Sequence, residues 1–295
     1  MRVLVTGGTG FIGRALVEKL TAVGHEVRLL TRRDLPAPDQ PLPPSILFGV
    51  DAIVNMAGEG IAGGRWTKAY KQKIRDSRIV LTQKLADACV AAVAANTAAP
   101  AVFVNFSAVG YYGTHPTADF TESSPPGTSW LATVARDWET AAGLVCKVGV
   151  RLVVLRLGVV LGPGGFLERL ALPFRCFVGG PAGTGRQWIS WIHRDDVIAA
   201  VTRAIADPEM TGAYNLVAPQ AATMNEMAAA IGTALNRPSW LRTPELPLKL
   251  LFGEMADELI LNGQRVAPRR LQQMGYAFSQ PELRAAVKKS LIKEK

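Results

Sequence analysis

Two hydrophobic rhythms alternate along this chain. Short unbroken apolar runs read as strands buried on both faces. Between them lie longer stretches with apolar residues three and four apart, the mark of amphipathic helices. Strands are predicted over residues 2–6, 26–31, 51–55, 101–106, 150–157 and 213–217. Helices are predicted after Gly13 and over about 67–95, 129–144 and 195–206, with Thr128 or Ser129 capping the third. Residues 35–44 hold too many prolines for a helix, so they read as a connection. Beyond Gly162 the pattern loosens through a Gly/Pro-rich loop at 179–185, and the end of the chain is helical and punctuated by proline. Strand and helix in alternation predict a parallel sheet covered on both faces.

Composition narrows this picture. A chain of 295 residues, 48% hydrophobic and 19% charged, is long enough for a large soluble α/β domain with an appended lobe, or for two domains. The best candidate for a membrane span, residues 91–106, is broken by Asn96 and Pro100, so no transmembrane segment is expected. A core strand from residue 2 leaves no room for a targeting peptide in this chain. A soluble protein of the cytoplasm, or of an organelle matrix or stroma, is expected. Cys89, Cys146 and Cys176 form no pair spacing and read as reduced thiols. His25, His115 and His193 show no ligand spacing, so no metal is expected.

The net charge is +9, and the segment from Asn236 onward holds eleven Lys/Arg against six Asp/Glu. Its densest part, residues 288–295, is either a solvated helix end or a docking surface for an acidic protein partner or membrane face. Basic residues do not interleave with aromatics, which argues against nucleic acid.

The most specific chemistry follows the first strand. Gly7-Gly8-Thr9-Gly10-Phe11-Ile12-Gly13 leads from strand to helix. A glycine-rich turn here aims the helix's unpaired N–H groups at one spot, which suits a diphosphate. Gly7 serves the tight turn, Gly10 the approach of the phosphates, and Gly13 the close packing of helix on strand. The second strand ends in Thr31-Arg32-Arg33, where a cofactor lacking the 2′-phosphate would be met by a carboxylate. Guanidinium groups at that place favour NADP(H) over NAD(H), although the following Asp34 leaves the other reading open. Asn55, Ala57 and Gly58 end the third strand with small residues against which an adenosine could lie.

Together these stretches resemble the short-chain dehydrogenase/reductase superfamily, extended type, through residues 6–13, 55–58, 107–113, 156–163 and 191–197. More closely, the chain resembles the atypical epimerase-like group, whose members are similar to sugar-nucleotide epimerases and carry a small C-terminal domain of unknown function. Gly64-Arg65-Trp66, Asp137-Trp138-Glu139, Gly179-Gly180-Pro181 and Gly263-Gln264-Arg265-Val266 carry that closer likeness. The resemblance implies a Rossmann-type doubly wound parallel sheet over residues 1–165, completed by about 187–217. A smaller, mostly helical substrate lobe takes up the remainder of 166–295.

It also implies a catalytic Ser at Ser107, and backbone contact with the nicotinamide at Gly162 and Pro163. Active members use a Tyr and a Lys four residues later. Registering the helix on Glu139 places Leu131 and Ala135 there, and Arg78 falls where an Asn is usual. Whether the chain is an enzyme is therefore open. Tyr111 or Tyr112 could replace the missing phenol, or serve packing and substrate contact. His193 could relay protons, or hydrogen-bond structurally. Arg186, Gln187 and Trp188 face either the substrate or the domain interface. Two functions stand side by side. One is an oxidoreductase or epimerase of non-standard mechanism, acting on a small molecule. The other is a non-catalytic dinucleotide-binding subunit of a larger assembly.

Overall fold

The computed structural model describes residues 1–37 and 40–292. Its first part runs β1 (Arg2–Thr6), α1 (Phe11–Ala22), β2 (Glu26–Leu30), β3 (Ala52–Asn55), α2 (Lys68–Ala94), β4 (Val102–Ala108), β5 (Asp119–Phe120), α3 (Trp130–Ala142) and β6 (Arg151–Leu157). Then follow β7 (Val159–Leu161), α4 (Phe166–Arg175), β8 (Trp188–Ile189), β9 (Trp191–His193), α5 (Arg194–Ala206), β10 (Gly212–Leu216), β11 (Ala222–Thr223) and α6 (Met224–Leu235). The C-terminal segment adds α7 (Glu245–Phe252), α8 (Glu254–Ala256), β12 (Arg265–Val266), α9 (Arg269–Gln273) and α10 (Leu283–Leu291).

Six parallel strands form the main sheet in the order β10-β6-β4-β3-β1-β2. The central strands are mostly apolar because both faces are covered, whereas the edge strand β2 is largely exposed. Val3, Val5 and Val54 face α1 and α5, meeting Leu16, Leu20 and Val201. Leu4, Ile53 and Phe103 face the other way and meet Leu85 and Cys89 of α2. Burial pushes the Cys89 thiol up to about 12, so it packs as an inert apolar group. After β1 the chain turns outward to β2, then returns to β3 on β1's other side. That reversal opens a crevice at the carboxyl ends of β1 and β3.

Buried polar side chains fix those strand ends. The Thr6 hydroxyl donates to Asn55 Oδ1 (2.7 Å) and accepts from the N–H groups of Met56 and Ala57 (both 3.1 Å). Asn55 Nδ2 donates to Thr82 Oγ1 and Asn105 Oδ1 (both 2.7 Å). The Asn55 amide, only 1% exposed, is thus a strut between strands, which leaves only its backbone for a ligand.

A second buried network joins α3 to β6. Arg156 grips Glu139 through Nε and Nη2 (2.8 Å each), and Ser107 Oγ donates to the same carboxylate (2.7 Å). Burial lowers the Arg156 pKa, but the hydrogen bonds and charge of Glu139 outweigh it and hold the guanidinium firmly charged.

At Gly158 the chain leaves the main sheet. A Cβ there would lie 2.9 Å from the backbone carbon of Ser190, so only glycine allows the crossing that pairs β7 with β9. The loosened pattern after Gly162 proves to contain α4. Its apolar face (Leu167, Ala171, Phe174) packs with Met227 and Ile231 of α6 and Val287 of α10 as a separate smaller core. Pro173 stands in its last turn, which hid the helix in the sequence.

The C-terminal segment folds back over the sheet's carboxyl edge. Asp196 accepts from the N–H groups of Ser279 and Gln280, and the Ser190 hydroxyl bridges Gln264 O and Val266 N. The basic surface expected of this segment is partly neutralised: Lys289 pairs with Asp195, Lys249 with Asp257 and Arg265 with Asp119. Pro38 and Asp39 of the proline-rich connection, and residues 293–295 of the basic tail, lie outside the described residues. Among the described residues no helix is long and apolar enough to cross a membrane.

Removing one partner of the Glu139–Arg156 pair leaves an uncompensated buried charge. Glu139→Ala is expected to cost about 3–5 kcal/mol in urea unfolding, and Glu139→Leu combined with Arg156→Leu to recover most of that loss. A double-variant loss equal to the sum of the losses of Glu139→Leu and Arg156→Leu alone would show that the pair has no net coupling.

Candidate functional site

The glycine turn closes on itself at the end of β1. Gly7 has φ +70°, and a Cβ on it would lie 3.0 Å from the backbone of Met56 and Ala57. A Cβ on Gly13 would strike the Gly7 oxygen and come 2.6 Å from Gly8 Cα. Helix and strand meet at backbone contact here, so the residue type is forced. Gly10 is the N-cap of α1, offers no side-chain cap, and is followed by a first turn without an acidic residue. The early N–H groups of α1 are left for an outside anion. Thr9 is exposed beside them and its carbonyl accepts from Arg14 Nε (2.9 Å). Ile12 packs inward on the core. The Phe11 ring lies against Gly162 and Gly165, with the Arg194 guanidinium 5.2 Å above it. The Pro163 carbonyl accepts from Arg194 (3.4 Å), so the Gly162-Pro163 turn is bound to the cradle through Phe11 and Arg194.

At the end of β2, Thr31 donates from both N and Oγ1 to Asp34 (2.8 and 2.7 Å). Those hydrogen bonds hold the Asp34 carboxyl below its ordinary range and commit it to the turn. Arg32 is paired with Glu59 (3.0 Å), which Lys73 also approaches (3.3 Å). Arg33 is exposed and makes no side-chain hydrogen bond or ion pair with the described residues. Beside Gly58 lies the guanidinium of Arg78; a Cβ on Gly58 would fall 2.9 Å from its central carbon. Arg78 donates to Ile74 O (3.0 Å) and has no carboxylate partner among the described residues. Burial lowers its pKa to about 10, partly opposed by the charge of Glu59, so it stays a cation at neutral pH.

A cavity of about 500 Å³ opens past Met56 and Arg78, over the carboxyl ends of β4 and β6. Ser107, Leu131 and Ala135 all line it. The register read from Glu139 therefore puts the two usual proton-transfer positions on the cavity wall, and both are aliphatic. Arg78 and Glu258 are the only titratable side chains among the described lining residues. Glu258 comes from the C-terminal segment and caps α3. Its oxygens accept from Trp130 N, Leu131 N and Ser129 Oγ, each at 3.2 Å. No local sequence signal marks this contact, which spans about 130 residues of chain.

Tyr111 and Tyr112, which the sequence leaves open between replacing the missing acid and packing, do not line this cavity. Tyr112 is 3% exposed, donates to Asn215 Oδ1 (2.6 Å) and accepts from Arg156 Nη1 (2.8 Å). Burial raises its pKa against the pull of Arg156, so it is a packed strut. Tyr111 lays its ring against the Arg156 guanidinium, 3.6 Å away. Ser107 does face the cavity, but its hydrogen is given to Glu139, which leaves it able only to accept.

His193 caps α5, accepting from Asp195 N at Nδ1 (3.2 Å); burial lowers its pKa and keeps it neutral. Of the three residues after the Gly-rich loop, Gln187 and Trp188 line the cavity and Arg186 is exposed away from it. Trp188 is held by Pro116 O (3.0 Å) and the Arg265 cation.

Known proteins share this arrangement. The family described as NAD dependent epimerase/dehydratase matches residues 3–217, and a domain of unknown function, DUF1731, matches residues 243–290. The chain is 42% identical to the bovine (Bos taurus) epimerase family protein SDR39U1 over 98% of this chain and 99% of that protein. The crystal structure of human epimerase family protein SDR39U1 (isoform2) with NADPH superposes with a TM-score of 0.89. It shares 39% identity, covering 98% of this chain and 99% of that one. A nucleoside-diphosphate sugar epimerase from Corynebacterium glutamicum superposes at 0.80 with 32% identity, covering 99% of this chain and 58% of the other. With its glycine cradle, six parallel strands and folded-back C-terminal segment, the chain belongs to the NAD dependent epimerase/dehydratase family and is an epimerase-like relative of the short-chain dehydrogenases/reductases.

Proposed function

We propose that this protein binds NADP(H) in the glycine cradle and acts as an oxidoreductase that handles its proton differently from its active relatives. One juxtaposition carries the reading. The uncapped, acid-free start of α1 shares its strand ends with an open cavity, through Met56 and Arg78. The cradle residues fit a dinucleotide diphosphate: Gly7, Thr9, Gly10, Phe11, Ile12 and Gly13 surround the α1 N-terminus, and Arg78 adds a cation with no carboxylate of its own. Ala57 and Gly58 supply the flat wall for the adenosine. Thr31, Arg32 and Arg33 surround the place for a 2′-phosphate. Asp34 is turned into its own loop, and Arg33 has no carboxylate partner among the described residues. The NADPH of the human relative supports the same preference.

When bound, NADPH supplies a hydride. Reduction of a carbonyl also needs a proton, and Leu131 and Ala135 stand where a phenol and an ammonium would handle it. Tyr111 and Tyr112 are set aside by their contacts. In this reading the chain's own residues orient the acceptor, Ser107 Oγ, which can only accept, takes a hydrogen bond from a water molecule, and that water supplies the proton. The lack of a proton donor equally favours a second reading, a non-catalytic dinucleotide-binding subunit, in which NADPH stiffens the fold and the C-terminal segment docks on a partner.

NADPH is expected to raise the melting temperature, with a gain of about 2.7 kcal/mol at a hundred times its dissociation constant. NADH should bind at least about tenfold more weakly. Arg33→Glu should erase that gap by weakening NADPH alone, since a charge-assisted phosphate contact contributes about 1.5–3 kcal/mol. Equal affinities in the wild type would overturn the assignment of the β2 end.

For turnover, NADPH fluorescence is followed over hours with apolar ketones and enones. The oxidoreductase reading expects decay that slows about tenfold or more in Ser107→Ala, with a stability loss of only about 1 kcal/mol. Bound NADPH that stays reduced with every carbonyl selects the second reading.

A further inference from the structure

Taking the cavity beside Ser107 as the substrate space of the proposed oxidoreductase, we infer that it receives an uncharged, largely apolar molecule bearing a hydroxyl or N–H group. The donor of that group pairs with Oε1 of Gln187. The ligand is not a sugar nucleotide.

Gln187 supplies the polar half of the argument. It is 9% exposed and lines the cavity. Its Nε2 donates to two carbonyls, Ala182 O (3.0 Å) and Ile260 O (2.7 Å). Only the NH₂ end of the amide can serve two acceptors, so the orientation of the side chain is fixed. Oε1 is then left buried and without a partner. A buried acceptor kept unpaired is disfavoured unless something else brings a donor.

The rest of the wall supplies the apolar half. Leu131, Val134, Leu167, Met227, Leu259 and Ile260 face the space from both parts of the chain. A nucleoside diphosphate demands cations or open helix N-termini for its charges. The wall formed by the C-terminal lobe has no Lys or Arg among its described residues. Three helices begin at the cavity, and each N-terminus already carries a carboxylate. Glu258 caps α3, Glu226 closes a capping box with Thr223 on α6, and on α4, whose Gly165 cap is unfilled, Glu168 stands in the first turn. A second anion there would meet like charge where its relatives would need attraction. The remaining cation, Arg78, lies at the Gly58 side, next to the cradle.

The test is calorimetric titration of the full chain, with and without saturating NADPH, using three probes. 2-Naphthol is apolar with one O–H donor, 2-methoxynaphthalene has the same ring system without the donor, and UDP-glucose is the sugar nucleotide. 2-Naphthol is expected to bind about tenfold more tightly than its methyl ether, the margin of one buried hydrogen bond. UDP-glucose should show no heat. Gln187→Leu should abolish the alcohol's advantage while leaving NADPH affinity unchanged. Because that variant strands two carbonyls, Leu131→Asp provides a second check. A charge in the apolar wall should weaken 2-naphthol by about thirtyfold or more.

Equal binding of alcohol and ether, absence of binding by both aromatics, or preferential binding of UDP-glucose would overturn the inference. Loss of NADPH binding with an intact naphthol series would instead strike only the cofactor reading.

Discussion

How the chain treats its helix N-termini governs the whole carboxyl edge of the sheet. Around the cavity, α3, α4 and α6 each begin with a carboxylate that satisfies or neutralises the first turn. α4 shares an unfilled glycine cap with α1, and the start of α1 alone among these is free of acid as well. The same backbone physics thus produces two adjoining environments, one hungry for an anion and one closed to it. A diphosphate and an apolar molecule can then lie side by side without either competing for the other's place.

The scaffold that holds these environments is polar and buried. Thr6, Asn55, Asn105 and Thr82 link the ends of β1, β3 and β4 to α2, and Trp138 reaches the same Thr82 hydroxyl (2.8 Å). Glu139 and Arg156 then lock α3 onto β6. The helix that carries catalytic side chains in active relatives is held here by several charged hydrogen bonds, although its cavity-facing residues are aliphatic. The helix is thus held firmly although Leu131 and Ala135, which it presents to the cavity, carry no titratable group. That combination suits a site whose reactivity resides in the bound cofactor rather than in the wall.

Much of this is legible in the sequence. Unbroken apolar runs and a glycine spacing of three are local signals, so the strands, the cradle, α2, α3 and α5 could be read within a few residues. That Leu131, Ala135 and Glu139 lie at helical spacing on α3 is also readable, because it needs only the helical repeat. What the sequence hid was orientation and long-range pairing. Tyr112 sits where a strand-end phenol would serve catalysis, yet Arg156 and Asn215, from distant strands, take both sides of its hydroxyl. Asn55 has the right place for a ligand contact and points into the sheet. α4 was masked by Pro173 and the glycines around it, although its apolar face is regular. Gln187 stood among three equal candidates until its amide partners singled it out.

The cap that Glu258 places on α3 bears on how the molecule comes into being. During synthesis, the strand–helix core is complete well before Glu258 leaves the ribosome. Until it does, the first turn of α3 lacks its outside partner and the leucine-lined wall beside it is open to water. The last fifth of the chain is accordingly the closing piece of the chamber, and a nascent or clipped form would present a sticky, unfinished surface to chaperones and proteases.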